Sequence, residues 1–523
     1  MLSEDKFVRK YSKILSLFWL AVSLGDIRMS ASNYYIRADA SGANTGADWN
    51  NAWTDVTSIN WNAVAAGAKI WIAGGTYGKL TIGKSGVAKA IIYIARVRST
   101  NTEPTSAAGW DPAYDSPVTL NLISCLGHNY WTLDGQIPYG GIMITNVSPD
   151  DGYCIDFSNG GVSTVPSSYV TLLNLNISGA VTDNSSFTNA PETRCINWNF
   201  DNAGHGFKMS YCYLAYAPTL MSLIGAWDGA VISHNKFTQN NNGGNSSNHK
   251  NVIQSTGGTN IILAYNEIFN WANEGLMFDP IGTDDAPNDG WDIYGNIIYW
   301  DWEGVARFPE SQNNPQYRIR IFNNTFADLG LATTRTANNG SWDEGCMTSN
   351  NIVLHCGSAV GAPVGIGFGL GTDDFNLSDA SLSGPHSISG ATTAIFVNYS
   401  GRDYHIVSNI AALFPRQNGV ILPAQYATDF AGNLRGTDGE WGIGAYEYST
   451  NYIPAASTLN YNADVNGSLM LSWTAPGFKL QSQTNTLTTG LGTNWSDYPG
   501  GSNSPVCATI DLSQPTVFFR LSQ

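Results

Sequence analysis

A short pattern recurs along the middle of the chain: alternating apolar, β-branched or aromatic residues, then an asparagine, then further apolar residues. It reads LNLNIS around Asn176, VISHNKF around Asn235, ILAYNEIF around Asn266, DIYGNIIY around Asn296, RIFNNTF around Asn324 and MTSNNIVL around Asn351; SYCYL places Cys212 in the same slot. From Cys212 onward the steps are 23, 31, 30, 28 and 27 residues, periods that belong to solenoids. Gly, Asn and Asp clusters separate the copies, so each period predicts strands and turns rather than helices. An Asn repeated at one bend can bond the matching amide one rung away, and it tolerates left-handed backbone. The period exceeds the length of the repeated strand, so each coil is expected to carry a loop, with loops on one side walling a groove.

The pattern changes at both ends. Lys6, Arg9, Lys10 and Lys13 precede the apolar run Ile14 to Leu24 and small residues around Ser30 and Ala31, which predicts a signal peptide over residues 1–31 and a secreted or extracellular protein. That run is too short for a transmembrane anchor, and no other stretch approaches twenty apolar residues. After Tyr448, NYIPAASTLNYN reads as a linker, and the alternation at Leu469, Leu471 and Trp473 predicts a small β-sandwich-like module within residues 449–523. Cell-surface or matrix attachment, sorting and carbohydrate binding all suit such a module.

Composition narrows the classes. Charged residues make up 13% of the chain and no long segment is dominated by helix formers, so an all-β chain is expected. The net charge of -16 opposes binding to nucleic acid through a broad basic field, and an acidic polymer would need a bridging cation or a local basic pocket. Seven Cys occur without metal-type spacing, and Cys346 with Cys356 is the expected disulfide if the compartment is oxidising.

The opening YYIRADASGANTGADWNNAW, the following GAKIWIAGGTYGKLTI, YWTLDG near Asp134, the Asn-centred coils, FVNYSGRDYHIV and GEWGIGAYEY together resemble secreted right-handed parallel β-helix proteins of the pectate-lyase-like superfamily. The resemblance spans roughly Asn33 to Tyr448 and implies a β-helix over residues 32–448. It implies a polysaccharide partner but no single reaction, since lyases, glycoside hydrolases, epimerases and proteins without known catalysis share that fold.

Polar residues are densest between Asn245 and Glu310. Three segments there match by pattern, around His249-Lys250, Asn273-Glu274 and Trp302-Glu303. If they occupy equivalent strands, Lys250, Glu274 and Glu303 form one column and Gln254, Phe278 and Arg307 another, with rungs about 4.8 Å apart. Glu274 with Glu303 then suits a glycosidase acid/base pair, and close carboxylates raise one another's pKa. A lyase would instead use a base and a charge-neutralising group, for which His249, Lys250 and Arg307 are candidates. The related alginate and chondroitin lyases carry a strand lysine where Ser255 stands here, which puts that chemistry in doubt. The epimerase signature Asp-Pro-His-Asp is absent, with only Phe278-Asp279-Pro280 as a faint echo. Asp284, Asp285 and Asp289 lie in a loop rich in oxygen donors that suits Ca2+ or an ordinary turn. Trp271, Trp291, Trp300 and Trp302 are candidates either for sugar-stacking subsites or for coil filling. A non-catalytic surface or adhesion protein, using the β-helix as a rigid scaffold, is the alternative to an enzyme.

Overall fold

In the computed structural model, the described residues are 32–146, 152–157, 166–179, 194–199, 204–225, 227–238, 251–271, 274–278, 287–300, 308–312, 315–329, 335–337, 341–343, 345–356, 372–408, 413–449, 459–463, 468–473, 479–486, 491–501, 506–509 and 516–522. The expected signal peptide lies outside them. Among them three long parallel sheets run the length of one solenoid. Sheet A holds twelve strands from Asn33–Ile36 to Thr372–Asp374, sheet B eleven from Gly75–Tyr77 to Leu377–Ser378, and sheet C nine from Leu80–Thr81 to Arg335–Ala337. Each coil visits the three in turn, and the fold is a right-handed parallel β-helix.

The passage from sheet A to sheet B shows why the repeat has its form. Pairs such as His234-Asn235, Tyr265-Asn266, Gly295-Asn296, Asn323-Asn324 and Asn350-Asn351 make two-residue corners between strands. The first residue of each takes positive φ, from +52° at Asn323 to +65° at Gly295. The second points its amide inward. Nδ2 of Asn235 donates to Oδ1 of Asn266 at 3.0 Å, and the bond repeats from Asn266 to Asn296, Asn296 to Asn324, Asn324 to Asn351 and Asn351 to Asn376 at 2.9–3.0 Å. The same oxygens accept the backbone N–H of the preceding Asn, so a buried corner satisfies its own polar groups.

Two expectations about this ladder change. Asn376 extends it, whereas Asn176 is not part of it: Asn176 pairs with Tyr213 inside sheet B, so the preceding Leu175 stands level with Cys212. Apolar Leu175 and Cys212 therefore occupy the slot in the earlier coils.

The interior is a continuous apolar column, filled by aromatic residues such as Trp131, Phe157, Trp198 and Trp227. Burial of this kind is the main stabilising term of a solenoid, contributing roughly 1.5–3 kcal/mol per large side chain. All six Cys of the coils are buried free thiols. Cys346 and Cys356 are not bridged: Cys346 donates to the Gln316 carbonyl and Cys356 to that of Leu354. Burial pushes the Cys212 thiol up to about 12, as suits a group that acts as a small hydrophobe.

The last strands of the coils end at Ser378, short of the expected 448. Residues 391–408 and 413–448 instead cover the outside of sheet B and its corner with sheet A. Ile395, Phe396, Tyr404, Ile443 and Ala445 pack on Ile297, Ile352 and Leu377, while Trp441 and Gly442 bond Asn323. This strap closes on the buried Arg435, which donates to the carbonyls of Gly444 and Ala445 at 2.9 Å. The C-terminal module has two three-stranded antiparallel sheets that share a core of Leu471, Trp473, Leu480, Val506 and Ala508. Among the described residues, no helix is long and apolar enough to cross a membrane.

Candidate functional site

Several connections into and out of the strands of sheet C are long, as at 179–193, 238–250 and 279–291. Sheet C also breaks the apolar rule. Reading one position from rung to rung gives Thr81, Ser124, Asp156, Asn197, Ser222, Gln254, Met277, Glu310 and Arg335. A polar side chain at every rung but one is not required by a parallel sheet buried on both faces.

The members are linked. Nη1 of Arg194 donates to Oδ1 of Asn197 at 2.8 Å, and Nδ2 of Asn197 donates to Oδ1 of Asp156 at 3.1 Å. All three side chains are at most 9% exposed. A buried arginine and a buried aspartate relayed through an amide form a neutral, oriented set, which lowers the cost of carrying charge in a low dielectric. Further along, Oγ of Ser222 and Oδ1 of Asn251 are buried without a hydrogen-bond partner. A buried orphan of this kind costs about 1–3 kcal/mol, so two on neighbouring strands of one sheet call for a partner.

The expected residues fall around this column with a corrected register. Asn251, not Lys250, is opposite Glu274, and Ser255, not Gln254, is opposite Phe278. The described strand on the next rung is Glu310–Gln312, with Glu310 opposite Met277. The pattern match failed because the connections differ in length, and the pairing follows the inward residues Ile253 and Leu276. Backbone register places Glu274 and Glu310 one rung and three residues apart, about 11 Å between Cα atoms from ordinary strand dimensions.

His249, Lys250, Asp279, Asp284, Asp285, Trp302, Glu303 and Arg307 lie outside the described residues. Three of the tryptophans do not offer a sugar platform. Trp271 and Trp291 are fully buried and Trp300 is 5% exposed; Trp291 packs edge-on to Phe278, and Nε1 of Trp300 donates to the Trp271 carbonyl. They fill coils. Trp291→Ala should accordingly cost about 3–5 kcal/mol of stability in chemical denaturation. A subsite residue would instead weaken substrate binding with little change in the unfolding midpoint.

Asp289 forms an ion pair with Arg318, and a guanidinium competes with a divalent cation for the same oxygens. Among the described residues no three His, Cys, Asp or Glu side chains converge as a metal site. Ser255 is part of a second internal ladder: its Oγ donates to Asn288 at 2.6 Å, and Asn288 donates to Gln316 at 3.0 Å. Ser255 is a structural hydroxyl here.

Asp156, Arg194, Asn197, Ser222 and Glu310 were not anticipated as a site. The signal was a second repeat, Cys154-Ile155-Asp156 matched by Cys195-Ile196-Asn197 one coil on.

Stacked parallel coils in three sheets define a right-handed parallel β-helix, with a buried polar column along sheet C. No family model and no curated protein matches the chain. Among solved structures it is similar to pectate lyase Pel9A, at 13% identity over 80% of this chain and 97% of that one, with a TM-score of 0.44. It is also similar to the PL6 family alginate lyase AlyGC, at 12% identity over 77% and 60% of the two chains and a TM-score of 0.36. A third similar structure is the GH136 lacto-N-biosidase from Eubacterium ramulus, at 11% identity over 72% and 64%, with a TM-score of 0.26.

Proposed function

We propose that this protein is a secreted, carbohydrate-active enzyme that holds an extracellular polysaccharide along sheet C and cleaves it there. The observation that carries the reading is the buried polar column from Ser124 to Gln254, with its Asp156–Asn197–Arg194 relay and the unpartnered Ser222 and Asn251. A spacer needs none of these groups, because coils are stabilised by apolar stacking alone. A hydroxyl-rich polymer supplies both donors and acceptors at short intervals, which is what an unpartnered hydroxyl and an unpartnered amide oxygen require.

Glu274 is the residue to test first. It opens the strand Glu274–Phe278, on the rung next to Asn251, whose amide oxygen has no donor. A glutamate at this strand entry is the residue type that general acid catalysis of glycoside cleavage uses. His249 and Lys250, which immediately precede Asn251 in the chain, with Arg307, are the alternative basic groups for an elimination. Glu303 and Asp279 remain acid/base candidates, and Trp302 a subsite candidate. Calcium at Asp284, Asp285 and Asp289 enters as an assay variable.

The test is a panel of uronic-acid and neutral polysaccharides with and without calcium, following both the ultraviolet absorbance of unsaturated ends and total reducing ends. Reducing ends should appear with at least one polymer, and Glu274→Gln should lower their rate by about 100-fold or more, the usual weight of general acid catalysis. Absorbance rising in parallel assigns elimination and moves attention to Lys250 and Arg307. No reducing ends with any polymer would overturn the enzymatic reading.

A further inference from the structure

The C-terminal module has one face turned to its own core and one that is not. In the sheet formed by Lys479–Thr484, Ser496–Asp497 and Val517–Ser522, Leu480, Phe519 and Leu521 join the shared core. Gln481 pairs directly with both Asp497 and Arg520, and Gln483 pairs with Phe518.

The polar side chains of this sheet and the residues beside it form two hydrogen-bonded groups. Nε and Nη2 of Arg520 donate to Oε1 of Gln481 at 3.0 and 2.8 Å, and Nε2 of Gln481 donates to Oδ1 of Asp497 at 2.8 Å. The same guanidinium lies over the Trp495 ring, 4.4 Å from its centre, and stacks on one face of the indole, leaving the other face for a ligand. Beside it is a cluster of amides. Nδ2 of Asn485 donates to Oε1 of Gln483 at 2.7 Å, Nδ2 of Asn494 donates to Oδ1 of Asn485 at 3.1 Å, and the N–H of Gly492 also bonds Gln483. Gln483 is 3% exposed, yet its Nε2 has no partner. Both lone-pair directions of its oxygen are used while both of its N–H groups are idle, an arrangement that leaves a fixed donor in want of an acceptor.

We propose that this face is a glycan-binding site separate from the groove of the β-helix, taking a neutral sugar unit of a polysaccharide. An indole flanked by fixed amides, one guanidinium and one carboxylate matches a pyranose, which presents an apolar C–H face and a ring of hydroxyls that both donate and accept. Asp497 is paired with Lys479 at 3.8 Å, and the chain's net charge of -16 disfavours a polyuronate. Holding these groups by internal hydrogen bonds reduces the entropy lost on binding, so a shallow site can still bind. The inference does not depend on the β-helix being an enzyme.

The test is affinity electrophoresis of the full chain through native gels containing galactomannan, xylan, hydroxyethylcellulose or polygalacturonate. At least one neutral polymer should retard the protein. Trp495→Ala should remove most of that retardation, and so should Gln481→Ala, a partly exposed change that spares the core. Retardation by polygalacturonate alone, or by no polymer, overturns the proposal. So does retardation that survives both module variants, which would place the binding outside the module.

Discussion

Replacing Asn296 by alanine should destabilise the β-helix by about 4 kcal/mol, the sum of two or three buried groups orphaned at roughly 1–3 kcal/mol each. Oδ1 of Asn296 accepts from both the backbone N–H and Nδ2 of Asn266, and its Nδ2 donates to the Leu263 carbonyl at 2.8 Å as well as to Asn324. Water cannot substitute, because Asn296 is fully buried. Asn176→Ala is the matched control. Asn176 carries the same sequence signature but sits one residue out of the slot, so its loss should cost no more than about 0.5–1 kcal/mol. Urea midpoints of the two variants read the difference directly. Equal midpoints would mean that the ladder does not stabilise the coils.

A comparable effect is expected at the strap. Arg435 is fully buried, 3.5 Å from the Glu447 carboxylate, and its loss strands that carboxylate together with the carbonyls of Gly444 and Ala445. Arg435→Met should cost about 3–5 kcal/mol, the range for breaking a buried pair from one side. The pair also gives the strap a pH dependence. Burial pushes the Glu447 carboxyl up to about 7 against the opposing pull of Arg435. In the unfolded chain a glutamate titrates near pH 4.3. The folded state therefore holds its proton after the unfolded chain has released it. The resulting stabilisation is full below about pH 4 and is lost as the pH rises through about 7, a change on the order of 3 kcal/mol. Melting monitored by the exchange of strap amides should be earlier at about pH 8 than at about pH 5, and Glu447→Gln should flatten the difference. Stability that rises over this interval would contradict the assignment.

The architecture was legible because its cause is local. A bend that buries its own amide needs Asn at Asn235, Asn266, Asn296, Asn324 and Asn351, and the strand on either side needs β-branched or aromatic residues. Those choices repeat with the coil. Asn176 misled because the sequence Asn-apolar-Asn-apolar has the same alternation in either register, and only pairing with Tyr213 decides between them.

The site was less legible for a related reason. Its residues belong to strands separated by connections of unequal length, so equivalence cannot be found by counting. Aligning Lys250 with Glu274 required a single-residue shift that the inward Ile253 and Leu276 do not allow. The tryptophans near 271–300 were ambiguous in sequence because core filling and sugar stacking use the same side chain. The Cys-Ile-Asp and Cys-Ile-Asn repeat pointed to Asp156 and Asn197, but its polar residue follows two strongly apolar ones and reads as the end of a strand. No composition argument could reveal that Arg194, 38 residues from Asp156 in sequence, would complete that relay.

The central claim is that the polar column of sheet C is where polysaccharide is held. The most direct measurement is a crystal structure of the Glu274→Gln variant with an oligosaccharide from a polymer that the panel selects. The expected result is sugar density along sheet C between Asp156 and Gln254, with hydroxyls within hydrogen-bond distance of Ser222 and Asn251. Sugar density confined to another sheet or to the C-terminal module, with sheet C unchanged, would contradict it.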